Sequence, residues 1–243
     1  MTVDSVPHTP TSTDDCFEHY WRQQGEWVEE PNQRRGGESG VQRIHDVCGR
    51  LLYAKRQVGH TYRSWRYPLG RPTVLREHDA LLAMNALSVK VPRVVYCGAK
   101  QGDDKQGDDK QWRALLVTEA LDGYTEIDNW YAAGERERFG ETVHERVLEA
   151  IGETLARMHA GRWQHGCLYP KHVFVRVTGD AQNAHVDVAL LDLEKSRQRL
   201  TPHKAASHDL KQLRRHSSWN DADWRKLIYF YEKVFGSAIK GLR

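Results

Sequence analysis

Between residues 141 and 160 the apolar positions Val143, Val147, Ile151, Leu155 and Met158 recur at intervals of four, four, four and three. That spacing draws one apolar stripe along a helix, and Gly161 follows where a helix C-terminus favours glycine. Upstream the pattern changes to short apolar runs between turn residues. These predict strands over 27–30, 40–47 and 49–57, separated by turn signals at Arg35-Gly36-Gly37 and Cys48-Gly49. A short helix over 16–24 precedes them. A helix is expected from Thr73, a good N-cap, with Leu81, Leu82 and Leu87 on or near its apolar face. The next strand, 91–97, opens Val-Pro, which holds its first residue extended. A partner strand over 112–119 lies beyond a polar Lys-Gln-Gly-Asp-Asp repeat read as an expanded hairpin tip. Helical patterns follow at 127–139, 205–215 and 221–235, with two strands at 173–177 and 186–191. Strands first and helices later, with a small hairpin between helices, is an α+β arrangement.

Composition narrows the class without naming a chemistry. The chain has 243 residues, 39% of them hydrophobic and 28% charged, which describes a globular protein with a wet, charged surface. A net charge of +3 is too small to argue for nucleic acid. No run is long enough to span a bilayer. Residues 1–14, rich in Ser, Thr, Pro and Asp, are expected to be disordered. They lack the basic start and apolar stretch of a secretory signal, which favours the cytoplasm. Cys16, Cys48, Cys97 and Cys167 form no C-x-x-C pair, so zinc-ribbon and disulfide frameworks are weak readings. The segment from Tyr62 to Arg71 is basic and aromatic. It suits an anionic membrane surface or a phosphate, and equally a solvated loop with its aromatics tucked onto the core.

Chemistry concentrates in His165-Gly166-Cys167-Leu168-Tyr169-Pro170-Lys171-His172-Val173-Phe174-Val175. The protein-kinase catalytic loop reads H-R-D-L-x-x-x-N before an apolar strand. His165 and Leu168 stand in register with it, Cys167 takes the base position and His172 the metal-ligand position. Other polar residues fall in the order phosphoryl transfer needs. Lys55 would contact nucleotide phosphates, Glu77 would orient Lys55, and Asp192 would bind the metal. Singly, these are also a solvated strand lysine, a surface helix glutamate and a turn-capping aspartate. Gly37 and Gly40, in a Gly-rich turn, would cover phosphate, and Glu119 and Leu121 lie where a sheet would connect to the helical remainder. Glu194, two residues beyond Asp192, offers a substitute metal ligand or a surface salt bridge.

Over residues 27–216 the chain resembles the bacterial lipopolysaccharide core kinases, in their InaA-like branch. The resemblance rests on the loop above and on Leu190-Leu191-Asp192-Leu193-Glu194-Lys195-Ser196-Arg197, with support from Tyr53-Ala54-Lys55, Arg76-Glu77 and Asp209-Leu210. It implies a two-lobed protein-kinase-like fold, with an N-lobe over 15–117, a C-lobe over 118–243 and nucleotide in the cleft. It further implies ATP and magnesium as cofactors, and phosphorylation of heptose or Kdo in the lipopolysaccharide inner core. Glu119 and Leu121 would then join Lys55, Glu77, Gly37 and Gly40 in nucleotide binding. His165, Cys167 and Asp192 would form the catalytic set, and Asp192, His172 and Glu194 the metal set. Asp209 would brace the loop from the helix beneath it. The setting implied is the cytoplasmic face of the inner membrane, with peripheral contact there. InaA-like members are associated with acid or weak-acid stress. The chain after Asp192 is short for a peptide-docking lobe, which favours a small or carbohydrate acceptor.

The sequence departs from that family where the reaction is run. Active core kinases carry Asp at the position of Cys167, and a neutral thiol cannot take a sugar hydroxyl proton as a carboxylate does. Loss of a general base typically costs about 10²–10⁴ in rate. His165 or Lys171 could promote a thiolate, whereas a buried cysteine would be inert. His172 prefers softer metals than magnesium. Two readings therefore stand: a sugar kinase, and a pseudokinase that binds nucleotide or a partner without phosphoryl transfer.

Overall fold

The computed structural model describes residues 13–34, 37–102 and 111–242. The residues expected to be disordered up to 12, the turn at Arg35-Gly36 and most of the polar repeat (103–110) lie outside them. The chain divides into two compact units, one comprising residues up to Leu75 together with Val94–Ala120, the other Arg76–Arg93 with Leu121 onward.

The first unit begins with α1 (Thr13–Arg22), followed by β1 (Glu26–Arg34), β2 (Gly37–His45) and β3 (Leu51–Val58). A hairpin of β4 (Thr61–Ser64) and β5 (Tyr67–Pro72) leads into α2 (Thr73–Ala86), within which the division falls, and β6 (Val94–Gln101) and β7 (Trp112–Glu119) complete the unit. Five strands make an antiparallel sheet in the order β1-β2-β3-β7-β6. Alternation puts Ile44, Leu52, Ala54, Leu115 and Val117 on one buried face, where Phe17 of α1 joins them. Pro31 lies in β1, which is an edge strand, where its missing N–H costs no ladder bond.

Several expectations shift here. Thr73 is the first residue of α2 and not its cap. The side-chain oxygen of Gln57 accepts from Val74 N at 3.1 Å and from the Thr73 hydroxyl at 2.8 Å. Leu82 is 51% exposed. The buried stripe of α2 is Val74, Glu77, Leu81 and Met84, at three-four-three spacing. The strand expected from Val91 starts at Val94, because Pro92 cannot donate to a ladder. Lys90 instead bridges Ala189. The segment from Tyr62 to Arg71 is the β4–β5 hairpin, and its aromatics are not all tucked in: Trp65 is 93% exposed, and the aliphatic Leu69 in the same hairpin is 94% exposed.

The second unit continues with β8 (Thr125–Glu126), α3 (Ile127–Ala132), α4 (Glu135–Phe139), α5 (Glu141–Ala160) and β9 (Trp163–Gln164). Then come β10 (Val173–Thr178), β11 (His185–Leu190), β12 (Arg197–Gln198), α6 (Pro202–His216) and α7 (Asp221–Phe235). The helix expected over 127–139 is two helices, broken at Gly134, whose φ of 71° is left-handed. The predicted stripe of α5 is fully buried. Gly152 lets α5 approach α7 closely, since a Cβ there would sit 2.8 Å from Leu227 O. β10 and β11 pair from Val173↔Leu190 to Thr178↔His185. Their ends present the His165 loop on one side and Asp192 on the other.

Candidate functional site

The loop from His165 to His172 is held from below by one carboxylate. Asp209, fully buried on α6, accepts from His165 N at 2.5 Å and Gly166 N at 3.0 Å. His159 of α5 lies 3.3 Å from its Oδ2, and His208 lies 3.2 Å from its Oδ1. Tyr231 of α7 meets the other nitrogen of His159 at 3.1 Å. Burial pushes the Asp209 carboxyl up, but hydrogen bonds from His159 and His208 win and hold it below the usual carboxylate range. One helical turn on, Gln212 accepts from Leu168 N at 2.9 Å. Gly166 is left-handed at φ 79°, and a Cβ there would sit 2.7 Å from Lys195 O.

His165 is buried, and its Nε2–H donates to the carbonyl oxygen of Leu191 at 3.0 Å. This hydrogen bond reaches out of the loop to the end of β11, tying the loop to the residue before Asp192. Burial pulls the His165 pKa down to about 4, so the ring is a neutral strut at pH 7. Its face stacks on His172, centroids 5.7 Å apart and planes 8° off parallel.

The upper face carries the altered groups. His172 donates from Nδ1 to Cys167 O at 2.7 Å, and its Nε2 lies 3.4 Å from Asp192 Oδ2. Burial pulls the His172 pKa below the ordinary imidazole value, against the carbonyl bond and the Asp192 charge. Asp192 is left-handed at φ 59°, an uncommon conformation for a residue other than glycine. Cys167 is 8% exposed. The cation touching its sulfur is Lys195, with Nζ 3.7 Å from Sγ, whereas Lys171 is exposed. Ligand atoms of Cys167, His172 and Asp192 all lie within 4.8 Å of one another, and Glu194 is not part of that group. Magnesium takes an octahedron of oxygens. Only Asp192 supplies an oxygen here, so this donor set does not fit magnesium.

The remaining expected residues lie apart from the loop in sequence. Lys55 is half-buried in β3, opposite Val41 and Leu116. Glu77 is buried on α2. Gly37 and Gly40 lie within β2, and both have packing reasons: a Cβ would meet Gly59 and His60 N at 2.5 Å in the first case, and the Trp27 ring at 2.7 Å in the second. Glu119 ends β7 and accepts from Arg50 at 3.0 Å. Leu121 O accepts from Tyr124 N at 3.1 Å in the turn before β8. Arg76 donates to Glu194 O at 2.7 Å, pinning the turn after Asp192. Sequence reasoning missed Lys195, Gln212 and the Arg76 contact. Gln212 follows Asp209 by three residues on one helix, a spacing that could have exposed it.

Comparison with known proteins extends this local likeness over the chain. The solved structure of "WaaP in complex with acyl carrier protein" superposes with a TM-score of 0.64, covering 90% of this chain and 82% of that one at 20% identity. That is a likeness of fold, α+β with an antiparallel sheet. Protein InaA of Escherichia coli (strain K12) is 39% identical over 218 residues, which cover 89% of this chain and 95% of that protein. Residues 18–231 match the lipopolysaccharide kinase (Kdo/WaaP) family. With both the braced loop and nearly the whole length accounted for, the chain belongs to the lipopolysaccharide kinase (Kdo/WaaP) family.

Proposed function

We propose that this protein is an ATP-dependent phosphotransferase whose acceptor is a hydroxyl of a lipopolysaccharide inner-core sugar or a related glycan. The observation that carries this reading is the brace. Asp209, Gln212 and the Leu191 carbonyl make four hydrogen bonds that hold one loop in a set conformation, and His159 orients Asp209. Phosphoryl transfer depends mainly on positioning and electrostatics, so a rigid loop is what the reaction asks of the protein. In this reading Lys55 contacts the nucleotide phosphates, Glu77 orients it, and Asp192 supplies a negative ligand. Cys167 stands where the acceptor hydroxyl approaches, and transfer is slow because a thiol is a poor base there. Peripheral membrane contact falls to the β4–β5 hairpin, where exposed Trp65 and Leu69 stand among Arg63, Arg66 and Arg71 with no acidic residue from 61 to 72. Aromatic, apolar and cationic groups together suit an anionic bilayer surface.

The test is transfer of radiolabel from ATP to purified core oligosaccharide, beside a thermal shift with ATP. Label in the oligosaccharide, lost on Lys55→Ala and Asp192→Ala, is the expected result. Absence of any ATP-dependent shift would sink the kinase reading. One observation favours a second reading: the base position holds a thiol touched by an ammonium group and not a carboxylate. A pseudokinase would shift with ATP and transfer nothing.

A further inference from the structure

The three groups above the brace form a donor set of a particular kind. Cys167 offers a sulfur, His172 an imidazole nitrogen and Asp192 a carboxylate oxygen, with the three ligand atoms within 4.8 Å of one another. Thiolate and imidazole select zinc and neighbouring transition ions over magnesium. The imidazole is already aimed. A carbonyl oxygen only accepts, so the 2.7 Å contact with Cys167 O places a hydrogen on Nδ1 of His172. Nε2 is then the atom left to bind, and it faces Asp192 Oδ2 at 3.4 Å. This is the arrangement in which a second group fixes the tautomer and direction of a metal-binding histidine. Zinc–nitrogen and zinc–oxygen bonds of about 2.0–2.2 Å put two ligands of a tetrahedral ion about 3.4 Å apart, the spacing already present. The ring is also stacked flat on His165, which removes its freedom to turn away.

We propose that Cys167, His172 and Asp192 bind a single zinc-class divalent cation, leaving its fourth position open. Three protein ligands with an open position is the plan of reactive zinc sites, whereas structural sites are closed by four. Lys195 now sits against the sulfur. Its side chain is exposed and long, and it is the group the cation displaces from Sγ. Cys167 in this state is a metal ligand and not a base. The site stands whether or not the chain transfers phosphate, because its binding is measured without nucleotide.

The experiment is cobalt(II) titration of the full-length, metal-stripped protein, followed by absorption. One equivalent is expected to produce the intense near-ultraviolet thiolate-to-cobalt band and the visible bands of a tetrahedral ion. Equimolar zinc should displace it, and a roughly hundred-fold excess of magnesium should not. Cys167→Ser should abolish the near-ultraviolet band. Asp192→Asn, at a half-exposed residue, should keep the fold by circular dichroism and weaken cobalt binding roughly ten-fold or more. A thiolate band missing from the native protein would overturn the proposal, and so would its displacement by equimolar magnesium. Persistence of the band in Cys167→Ser would also overturn it, by transferring the ligand role to Cys16, Cys48 or Cys97.

Discussion

The two faces of the His165 loop are built differently. Beneath it, Asp209 gathers two backbone N–H groups and two histidines, and every one of those contacts maintains a shape. Above it, Cys167, His172 and Asp192 offer sulfur, nitrogen and oxygen donors within 4.8 Å of one another, and His172 also bonds the Cys167 carbonyl. The lower face is what a kinase-like loop needs to exist. The upper face holds the groups to which the proposed chemistry is assigned. Conformation and chemistry are therefore expected to separate in this protein, with replacement of Cys167 leaving the brace below largely in place.

The largest expected effect comes from restoring the base. Cys167→Asp should raise label transfer to core oligosaccharide by roughly 10²–10⁴-fold while leaving the urea midpoint nearly unmoved. Transfer by the variant alone would assign the native chain to the pseudokinase reading. A large loss of stability instead would break the claimed separation of the faces. Next comes the brace. Asp209→Ala removes the acceptor shared by four donors and should cost about 3–5 kcal/mol in urea unfolding, the range for breaking a buried charged network. A cost below about 1 kcal/mol would mean that the loop holds itself.

His165 sharpens the comparison through pH. Its folded pKa of about 4 lies below the ordinary histidine value near 6.5. Between those values the unfolded chain binds more protons than the folded one, so stability rises with pH across the window. It is fully present above about pH 6.5 and declines as pH falls towards 4, by roughly 3 kcal/mol in all. Urea midpoints taken from pH 7 to pH 4 on the native chain and on His165→Gln measure this. An equal slope in both would remove His165 as the source. Gly166→Ala should cost about 1–2 kcal/mol from left-handed backbone strain, with more from the close Lys195 carbonyl. The smallest effect on stability belongs to the hairpin. Trp65→Ala with Leu69→Ala should change unfolding by less than about 0.5 kcal/mol yet reduce sedimentation with anionic vesicles. Unchanged vesicle binding would remove the hairpin from the membrane reading.

Periodic burial made much of the fold legible. The α5 stripe, the strand over 112–119 and the helix over 221–235 follow from local patterns, since side-chain spacing in a helix or strand is set by the backbone itself. The kinase-like loop was legible because its residue types stand at fixed offsets. Local pattern fails where partners are remote in sequence. Gln57 caps α2 from another element, Pro92 delays β6, and the β4–β5 hairpin carries no strict alternation.

The candidate site divides in the same way. Sequence alone determined that Cys167 and His172 replace the usual Asp and Asn, because a side chain's identity needs no neighbours. Tertiary structure decided that His172 turns Nε2 to Asp192, that Lys195 and not Lys171 touches the sulfur, and that His165 reaches Leu191. Those facts depend on distances between residues up to 28 positions apart, as with Cys167 and Lys195. Only packing brings such residues together, so no reading of spacing along the chain could have supplied them.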